Sequence, residues 1–442
     1  MKIVLVYPDH TNLEELTAYT PFPIASTTMK PYTQPLGMLY LISNLVYPVT
    51  FIDNSIRHLN DNELIREIHN NNPDIVGFGG TCLEYPQARR VAQNLKIPTI
   101  YGGPNAMARS EKHIKYFDYV LRGEGEYALN SLLSYLEKGK KPKTLGVWTK
   151  KRKNEDGKFE SELDNFAFPW RGNITDYKRQ IGFTNRTPCD VVMSSRGCPF
   201  NCHFCSSMFK KHYHQRTPEN VIKEIKKLIE NYGTQAVWFC EDNFTVNKRW
   251  VRELCKLIKP LNLDWFTQGR SNSVDIETLE IMKDAGCKKI SFGFESVNES
   301  TLNYINKGIT AEQNKRAVEI CETVKMNWTA GLMVGVLNEG KREIDNTFRF
   351  AEELKKKSHC IYIQIARFYG IPVAKTYLEM IDKGLVGFNW QDGELLIAGT
   401  YHLTAKQVDK IMMEHLWFKR LAAKYIPRFL WKLRKRIKKG KW

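Results

Sequence analysis

The chain of 442 residues contains no uninterrupted apolar run that approaches 18 residues. That absence excludes an ordinary membrane-spanning helix, which needs about 20 such residues. Nor do we expect a secretory signal, because the first apolar run, MKIVLVY, is short and is followed at once by Pro8 and Asp9. This start is typical of a buried first strand. We therefore expect a cytoplasmic protein.

The glycine fingerprint of nicotinamide-binding proteins is absent as well. A G-x-G-x-x-G motif would have to follow the first strand, where the chain reads YPDHTN. Apolar runs and helical patterns nevertheless alternate, which predicts a doubly wound parallel sheet with helices on both faces. The predicted strands are 2–7, 50–53, 74–79, 98–101 and 118–121, and the predicted helices are 35–46, 61–71 and 87–95.

A second alternation of strands and helices begins near Asp190. Six such units predict a partial (β/α)6 barrel rather than a closed eight-stranded one. The strands are predicted at 190–193, 236–240, 264–267, 289–294, 329–336 and 360–366. We divide the chain into a Rossmann-like domain (1–136), a linker with a hairpin turning at 155–157 (137–188), the barrel (189–388) and a helical C-terminal extension (389–442).

A structural zinc site often uses two C-x2-C pairs. Among the ten cysteines, no second such pair lies close to Cys202 and Cys205. In a long chain without a secretory signal the cysteines are expected to be reduced thiols. Three of them, Cys198, Cys202 and Cys205, have the spacing C-x3-C-x2-C. Zinc remains an alternative, because His203, His212 and His214 lie nearby. Three thiolates on one loop also suit a [4Fe–4S] cluster, whose fourth iron would stay open to a ligand.

This loop, with Phe204 before the last cysteine, resembles the signature of the radical S-adenosylmethionine (SAM) superfamily. The resemblance implies that the three cysteines are the catalytic ligands of a [4Fe–4S] cluster whose open iron binds SAM, which is then cleaved to a 5′-deoxyadenosyl radical. Gly331 and Gly335 would border the adenine, whereas Leu337-Asn338 replaces the usual glycine-proline turn. The implied SAM-binding residues are Phe204, Glu241, Asp242, Arg270, Glu295 and Ser296.

The N-terminal part resembles the cobalamin-binding domain of one branch of this superfamily. Asp53 and the motifs YGGP (101–104) and RGEGE (122–126) carry the likeness, although Asn105 stands where the family often has histidine. Without a D-x-H-x-x-G motif, a histidine ligand to cobalt is not expected. The implied cobalamin-binding residues are Gly80, Thr81, Cys82, Gly102, Gly103, Pro104, Gly123, Glu124, Gly125 and Glu126.

The combined resemblance implies a cobalamin-dependent radical SAM C-methyltransferase, in which a substrate radical takes a methyl group from methylcobalamin. A cyclase or rearrangement enzyme with the same cofactors is the first alternative. An RNA-modifying protein is a second alternative, suggested only by the net charge of +18. No RNA-binding module is recognisable, so no specific nucleic acid is expected as a partner.

The partners that we expect are a flavodoxin or ferredoxin as electron donor and a peptide, protein, lipid or natural product as substrate. The tail at 428–442 has eight basic residues and no acid, with aromatic and aliphatic residues between them. Such a tail fits peripheral contact with the inner membrane surface, and also the docking of an acidic donor. The segment 11–35 is predicted to cover the site. Aromatic residues that fit either a pocket wall or the core are Tyr19, Phe22, Tyr32, Trp328, Tyr369 and Trp390.

Overall fold

The computed structural model describes residues 1–9, 34–139, 145–157, 159–180, 183–207, 209, 212–390 and 395–420. Nearly all of the predicted cover at 11–35 and the whole basic tail at 428–442 lie outside these residues, as do Tyr19, Phe22, Tyr32 and the side chain of Trp390. None of the helices described combines the length and the apolar character that crossing a bilayer requires.

The first half of the chain forms a six-stranded sheet in the order β2-β1-β3-β4-β5-β6. Strands β1 to β5 are parallel, as predicted, and β6 is antiparallel to β5. The strands are β1 (Ile3–Tyr7), β2 (Val49–Asp53), β3 (Ile75–Gly79), β4 (Thr99–Gly102), β5 (Tyr119–Leu121) and β6 (Val147–Thr149). The helices are α1 (Leu36–Ser43), α2 (Asn54–Arg57), α3 (Asp61–Asn70), α4 (Tyr85–Asn94), α5 (Pro104–Ala108), α6 (Ser110–His113) and α7 (Gly125–Glu137).

Both faces of this sheet are covered by helices, which explains why its strands are almost continuously apolar. One apolar cluster joins Val4, Val6 and Phe78 to helices α3 and α4, and the other joins Leu5 and Leu121 to α7. Helix α3 starts at a capping box in which Asn60 and Glu63 exchange hydrogen bonds with each other's backbone. The prediction of a doubly wound parallel sheet is confirmed.

The second sheet contains six parallel strands in the order β14-β13-β12-β11-β10-β7. It is the partial barrel expected from the sequence. Its strands are β7 (Cys189–Val192), β10 (Ala236–Phe239), β11 (Asp264–Gly269), β12 (Cys287–Glu295), β13 (Asn327–Val334) and β14 (Cys360–Arg367). The helices that follow are α8 (Pro218–Tyr232), α9 (Lys248–Ile258), α10 (Ile276–Asp284), α11 (Glu299–Tyr304), α12 (Ala311–Val324) and α13 (Lys341–Leu354). A short pair, β8 (Ser195–Arg196) with β9 (His214–Gln215), frames the cysteine loop.

The core of the barrel domain lies between this sheet and its helices. Trp265, Phe294 and Trp328 are fully buried there. Trp328 is therefore a core residue and not a pocket wall. Because the helices take up the outward-facing side chains, the carboxyl ends of the strands remain available for a site.

In the connector between the two sheets, the predicted position of the hairpin turn is wrong. The turn lies at Thr149 and Arg152, whose backbone groups bond to each other, and not at 155–157. Gly157 instead donates its backbone N–H to the carbonyl of Arg122, because it packs against the end of β5. Further along, Tyr177 donates a hydrogen bond to Asp53 at the end of β2. Asp53 therefore holds the connector in place.

After the barrel the chain forms α14 (Lys375–Asp382), the antiparallel pair β15 (Val386–Trp390) and β16 (Leu395–Ala398), and α15 (Ala405–Arg420). The predicted extension is therefore not purely helical. Buried Arg367, at the end of β14, donates to the carbonyl oxygens of Gly335 and Ala398 and bonds to Asp409 at 3.1 Å. These contacts tie the extension to the barrel.

Candidate functional site

In both sheets, the carboxyl ends of the parallel strands face one cavity of about 830 Å³. Open α/β sheets bind ligands at this end of their strands. All ten residues that the sequence suggested for cobalamin line the cavity. They are Gly80, Thr81, Cys82, Gly102, Gly103, Pro104, Gly123, Glu124, Gly125 and Glu126.

The cavity wall contributed by the first sheet combines glycine backbone with apolar side chains such as Leu5, Met38 and Met107. Gly103 has φ +96°, and a Cβ atom there would lie 2.9 Å from the carbonyl oxygen of Gly80. A side chain at this position would therefore be both strained and in collision. The neighbouring loop is closed by Glu84, whose carboxylate accepts hydrogen bonds from the backbone N–H of Thr81 at 2.6 Å and from its hydroxyl at 2.7 Å. Such a wall fits a large flat ligand.

The three cysteines lie on the loop that follows β8. Cys202 is buried, whereas Cys198 and Cys205 are half-buried, and Cys205 lines the cavity. The loop begins at Gly197, whose φ is +80° and where a Cβ atom would approach the carbonyl oxygen of His212 to 2.0 Å. Only glycine fits there, so the path of the chain into the loop is fixed.

The donor set on this loop fits an iron–sulfur cluster better than a single zinc ion. Among the described residues, no three His, Cys, Asp or Glu side chains converge closely enough to hold one metal ion. His203 bonds through Nδ1 to the carbonyl oxygen of Tyr304 at 2.9 Å, and the ring of His212 stacks on Phe159. Both rings thus have other partners. Three thiols without a fourth protein ligand match a cube that keeps one iron open.

Arg270 is the cationic group next to the thiols. Its Nη1 lies 3.7 Å from the sulfur of Cys202, and its guanidinium carbon lies 3.7 Å from the ring centre of Phe200. Burial raises the pKa of the Cys198 thiol. A neighbouring guanidinium opposes this effect, because it favours the thiolate that a metal requires. Arg270 does not line the cavity; its predicted role as a SAM ligand stays a prediction.

Two acids at the end of β10, Glu241 and Asp242, both line the cavity. Glu241 is almost fully buried, and its Oε1 accepts a hydrogen bond from the backbone N–H of Ser194 at 2.5 Å. Its Oε2 has no hydrogen-bond partner among the described residues. Burial raises the pKa of Glu241 to about 7. A buried acceptor without a partner fits a ligand that brings a positive charge or a donor.

The other predicted SAM-binding residues have local partners instead. Glu295 forms an ion pair with Lys307 at 2.8 Å, and the hydroxyl of Ser296 accepts from the backbone N–H of Asn298 at 3.1 Å. Phe204 packs against an apolar cluster that includes Ile305. None of the three lines the cavity that the structure describes.

The departure from the glycine-proline turn is compensated by Glu339. This buried carboxylate accepts hydrogen bonds from the backbone N–H groups of Gly335 at 2.8 Å and Val336 at 3.1 Å. Burial raises the pKa of Glu339 to about 7. The turn is thus held without proline.

Sequence reasoning missed two groups of cavity residues. The first is Arg196, which pairs with Glu124 and Glu126; its place next to Gly197 and Cys198 was the available signal. The second is the end of β14 together with the segment that follows it. The sequence analysis named only Tyr369 from this region. The other residues could have been found from the prediction that the end of this strand faces the same cavity. This region contributes Arg367, Tyr369, Ile371, Pro372 and Val373.

Comparison with known proteins gives concordant matches. The family model of the radical SAM superfamily matches residues 192–351. A Pyrococcus horikoshii protein named as an uncharacterized methyltransferase is 30% identical over 438 residues, covering 93% of this chain and 91% of that protein. The anaerobic magnesium-protoporphyrin IX monomethyl ester cyclase of Rubrivivax gelatinosus is 26% identical over 339 residues, covering 71% of this chain and 60% of the cyclase.

Among solved structures, the cobalamin-dependent S-adenosylmethionine radical enzyme OxsB, with aqua-cobalamin and S-adenosylmethionine bound, has the same fold. The TM-score is 0.73 at 15% identity, and the match covers 100% of this chain and 71% of OxsB. The cysteine loop, the six-stranded partial barrel and the relative that matches 93% of the chain all indicate the same family. The chain belongs to the radical SAM superfamily and is a radical SAM enzyme.

Proposed function

We propose that the protein is a cobalamin-dependent radical SAM methyltransferase that methylates an unactivated carbon. The observation that carries the proposal is the cavity shared by the two sheets, which is bordered by the glycine loops of the first sheet and by Cys205, Glu241 and Asp242 of the barrel. A corrinoid on one wall and SAM on the other would share this space. The name of the Pyrococcus horikoshii relative supports methyl transfer, and the cobalamin bound by OxsB supports the corrinoid.

In this proposal Cys198, Cys202 and Cys205 hold the cluster, and the cofactors supply radical generation and the methyl group. The protein supplies position and a dry site. The free Oε2 of Glu241 would bind the amino group or the ribose of SAM. Tyr369, Ile371 and Val373 border the cavity from the end of β14, where they would restrict the access of water to reactive species.

A radical SAM enzyme takes a substrate and a reductant. We propose that the reductant is a flavodoxin or ferredoxin, because an acidic donor is attracted to a protein with a net charge of +18. The substrate is proposed to be a peptide, protein, lipid or natural product. Cytoplasmic location and peripheral membrane contact by the tail stay predictions.

Anaerobic reconstitution with iron, sulfide and hydroxocobalamin tests the proposal. We expect the reconstituted protein to bind one corrinoid per chain. In the presence of a reductant it should cleave methyl-deuterated SAM and release deoxyadenosine. Candidate substrates from the neighbouring genes should then gain the deuterated methyl group. Failure of the reconstituted protein to retain cobalamin would refute the cobalamin-dependent assignment.

The cyclase relative supports a second candidate, a ring-forming enzyme with the same cofactors. The same labelled SAM separates the two functions. Methyl transfer adds the mass of the deuterated methyl group to the product, whereas ring closure adds no label.

A further inference from the structure

Arg196 joins the cysteine loop to the glutamates of the first sheet. Its Nη1 donates to Oε1 of Glu124 at 2.7 Å, and its Nη2 donates to Oε1 of Glu126 at 2.6 Å. In sequence, Arg196 lies two residues before Cys198, whereas both glutamates lie at the start of α7. One guanidinium therefore bridges the two walls of the cavity.

The bridge is buried. The side chains of Arg196, Glu124 and Glu126 are 9%, 2% and 8% exposed. The guanidinium also lies 5.3 Å from the ring centre of Tyr40 and 4.6 Å from that of Phe166. These rings and the two carboxylates fix its position and orientation. Buried charge groups of this kind are weak sources of stability, because desolvation offsets their attraction.

Both ends of the bridge are rigidly supported. Arg196 pairs with His214 between β8 and β9. Glu126 belongs to the first turn of α7, and the second oxygen of Glu124 accepts a hydrogen bond from the backbone N–H of Glu160 at 2.5 Å. A displacement of one wall would therefore be transmitted to the other. A flexible surface ion pair would have no such effect.

We infer that Arg196 is a positioning residue that holds the cluster loop at a fixed distance from the corrinoid wall. This inference rests on the proposed function. It also gives Glu124 and Glu126 a different role from the direct cobalamin contact that the sequence suggested. They bind Arg196, and they order the edge of the cavity against which the corrinoid would lie.

The test uses the reconstituted holoenzyme with bound cob(II)alamin and a reduced cluster. Pulsed dipolar electron paramagnetic resonance measures the distance distribution between the two paramagnetic centres. In Arg196→Gln we expect a distribution about twice as broad as in the unmodified protein. We also expect cobalamin to bind about tenfold more weakly. Without Arg196 the cavity edge at Glu124 and Glu126 is less ordered, and ordering it on binding costs free energy. Iron and sulfide content should stay unchanged.

Three further variants separate positioning from general damage. Arg196→Lys keeps the charge but loses the two-pronged geometry, so it should recover cobalamin affinity only in part. The triple variant Arg196→Met, Glu124→Gln, Glu126→Gln leaves no buried charge unpaired. It should fold and hold the cluster, yet show the broad distribution. Arg90→Gln, which breaks the Arg90–Asp61 pair away from the cavity, should match the unmodified protein.

The outcomes are distinguishable. If the unmodified protein binds cobalamin and both Arg196→Gln and the triple variant keep its affinity and narrow distribution, the positioning role is refuted and the proposed function stands. If the unmodified protein binds no cobalamin, the proposed function fails, and the inference fails with it.

Discussion

Glu241 combines deep burial with a carboxylate oxygen that has no hydrogen-bond partner among the described residues. Its raised pKa of about 7, caused by burial, lies near neutral pH. The residue therefore has a measurable effect on stability even before a ligand is bound.

The pH dependence follows from this shift. A carboxyl group whose pKa is raised by folding stabilises the folded state at low pH and loses that contribution as the pH rises toward 7. Relative to Glu241→Gln, the unmodified apoprotein should lose up to about 3 kcal/mol between about pH 4.5 and 7. Urea unfolding of both proteins across this range measures the difference. A constant difference would show that Glu241 ionises normally in the folded protein.

The cysteines allow a second test at this scale. Cys202→Ala removes a buried thiol that contacts Arg270. Because Cys202 is one of the three proposed ligands, the cluster should lose a ligand. We expect deoxyadenosine formation to fall to the background of cluster-free protein. Cys360→Ala is the control, because this half-buried thiol lies at the start of β14, at the end of the barrel strands away from the cavity. Normal deoxyadenosine formation by Cys202→Ala would contradict the cluster assignment.

Among the elements, the loops after β3 and β4 determine how closely a ligand can approach the first sheet. Gly103→Ala would place a Cβ atom 2.9 Å from the carbonyl oxygen of Gly80 and impose a left-handed conformation on alanine. We expect cobalamin to bind at least about tenfold more weakly, which corresponds to about 1.4 kcal/mol. Cluster content should be unaffected, because the cysteine loop is not changed.

Gly139→Ala is the matched control. Gly139 also has a positive φ, of +59°, but no atom of the described residues lies within 4 Å of the position its Cβ would occupy. The substitution should cost about 1–2 kcal/mol of stability from backbone strain alone and leave cobalamin affinity intact. Equal losses of affinity in both variants would mean that the Gly103 effect is one of stability. Cobalamin titrations and thermal unfolding measure the two quantities.

Alternating apolar runs were sufficient to predict eleven parallel strands in two sheets, because burial on both faces makes such strands continuously apolar. The turn at 155–157 was misplaced, since a glycine that permits close backbone packing looks the same in a sequence as a glycine in a turn. The β15–β16 pair was missed because the chain after the barrel was assigned as a helical extension.

The site was predicted in its parts but not in its connections. The positions of the cysteines, Glu241 and the glycine loops follow from motifs, and the structure places Cys205, Glu241 and those loops on one cavity. The pairing of Arg196 with Glu124 and Glu126 spans about seventy residues, and no local pattern encodes it. Ion pairs between distant segments depend on the packing of the two sheets.

For the whole molecule, the net charge of +18 predicts how the enzyme meets its electron donor. Reduction of the cluster by an acidic flavodoxin should slow by about threefold or more between about 50 and 300 mM salt, because screening weakens electrostatic steering. Reduction by dithionite is the control for effects of salt on the cluster itself. A flavodoxin rate that does not change with salt would contradict electrostatic recruitment. Stopped-flow absorbance of the cluster measures both rates.

The placement of one cavity between two sheets also limits how this enzyme can change over evolutionary time. If the Rossmann-like domain were replaced by that of a distant relative, Arg196 would have to pair with the residues that the relative has at positions 124 and 126. The two walls would stay connected only if those residues were also glutamates. Recombination within the connector should therefore be tolerated between lineages that share these three residues, and selected against in others.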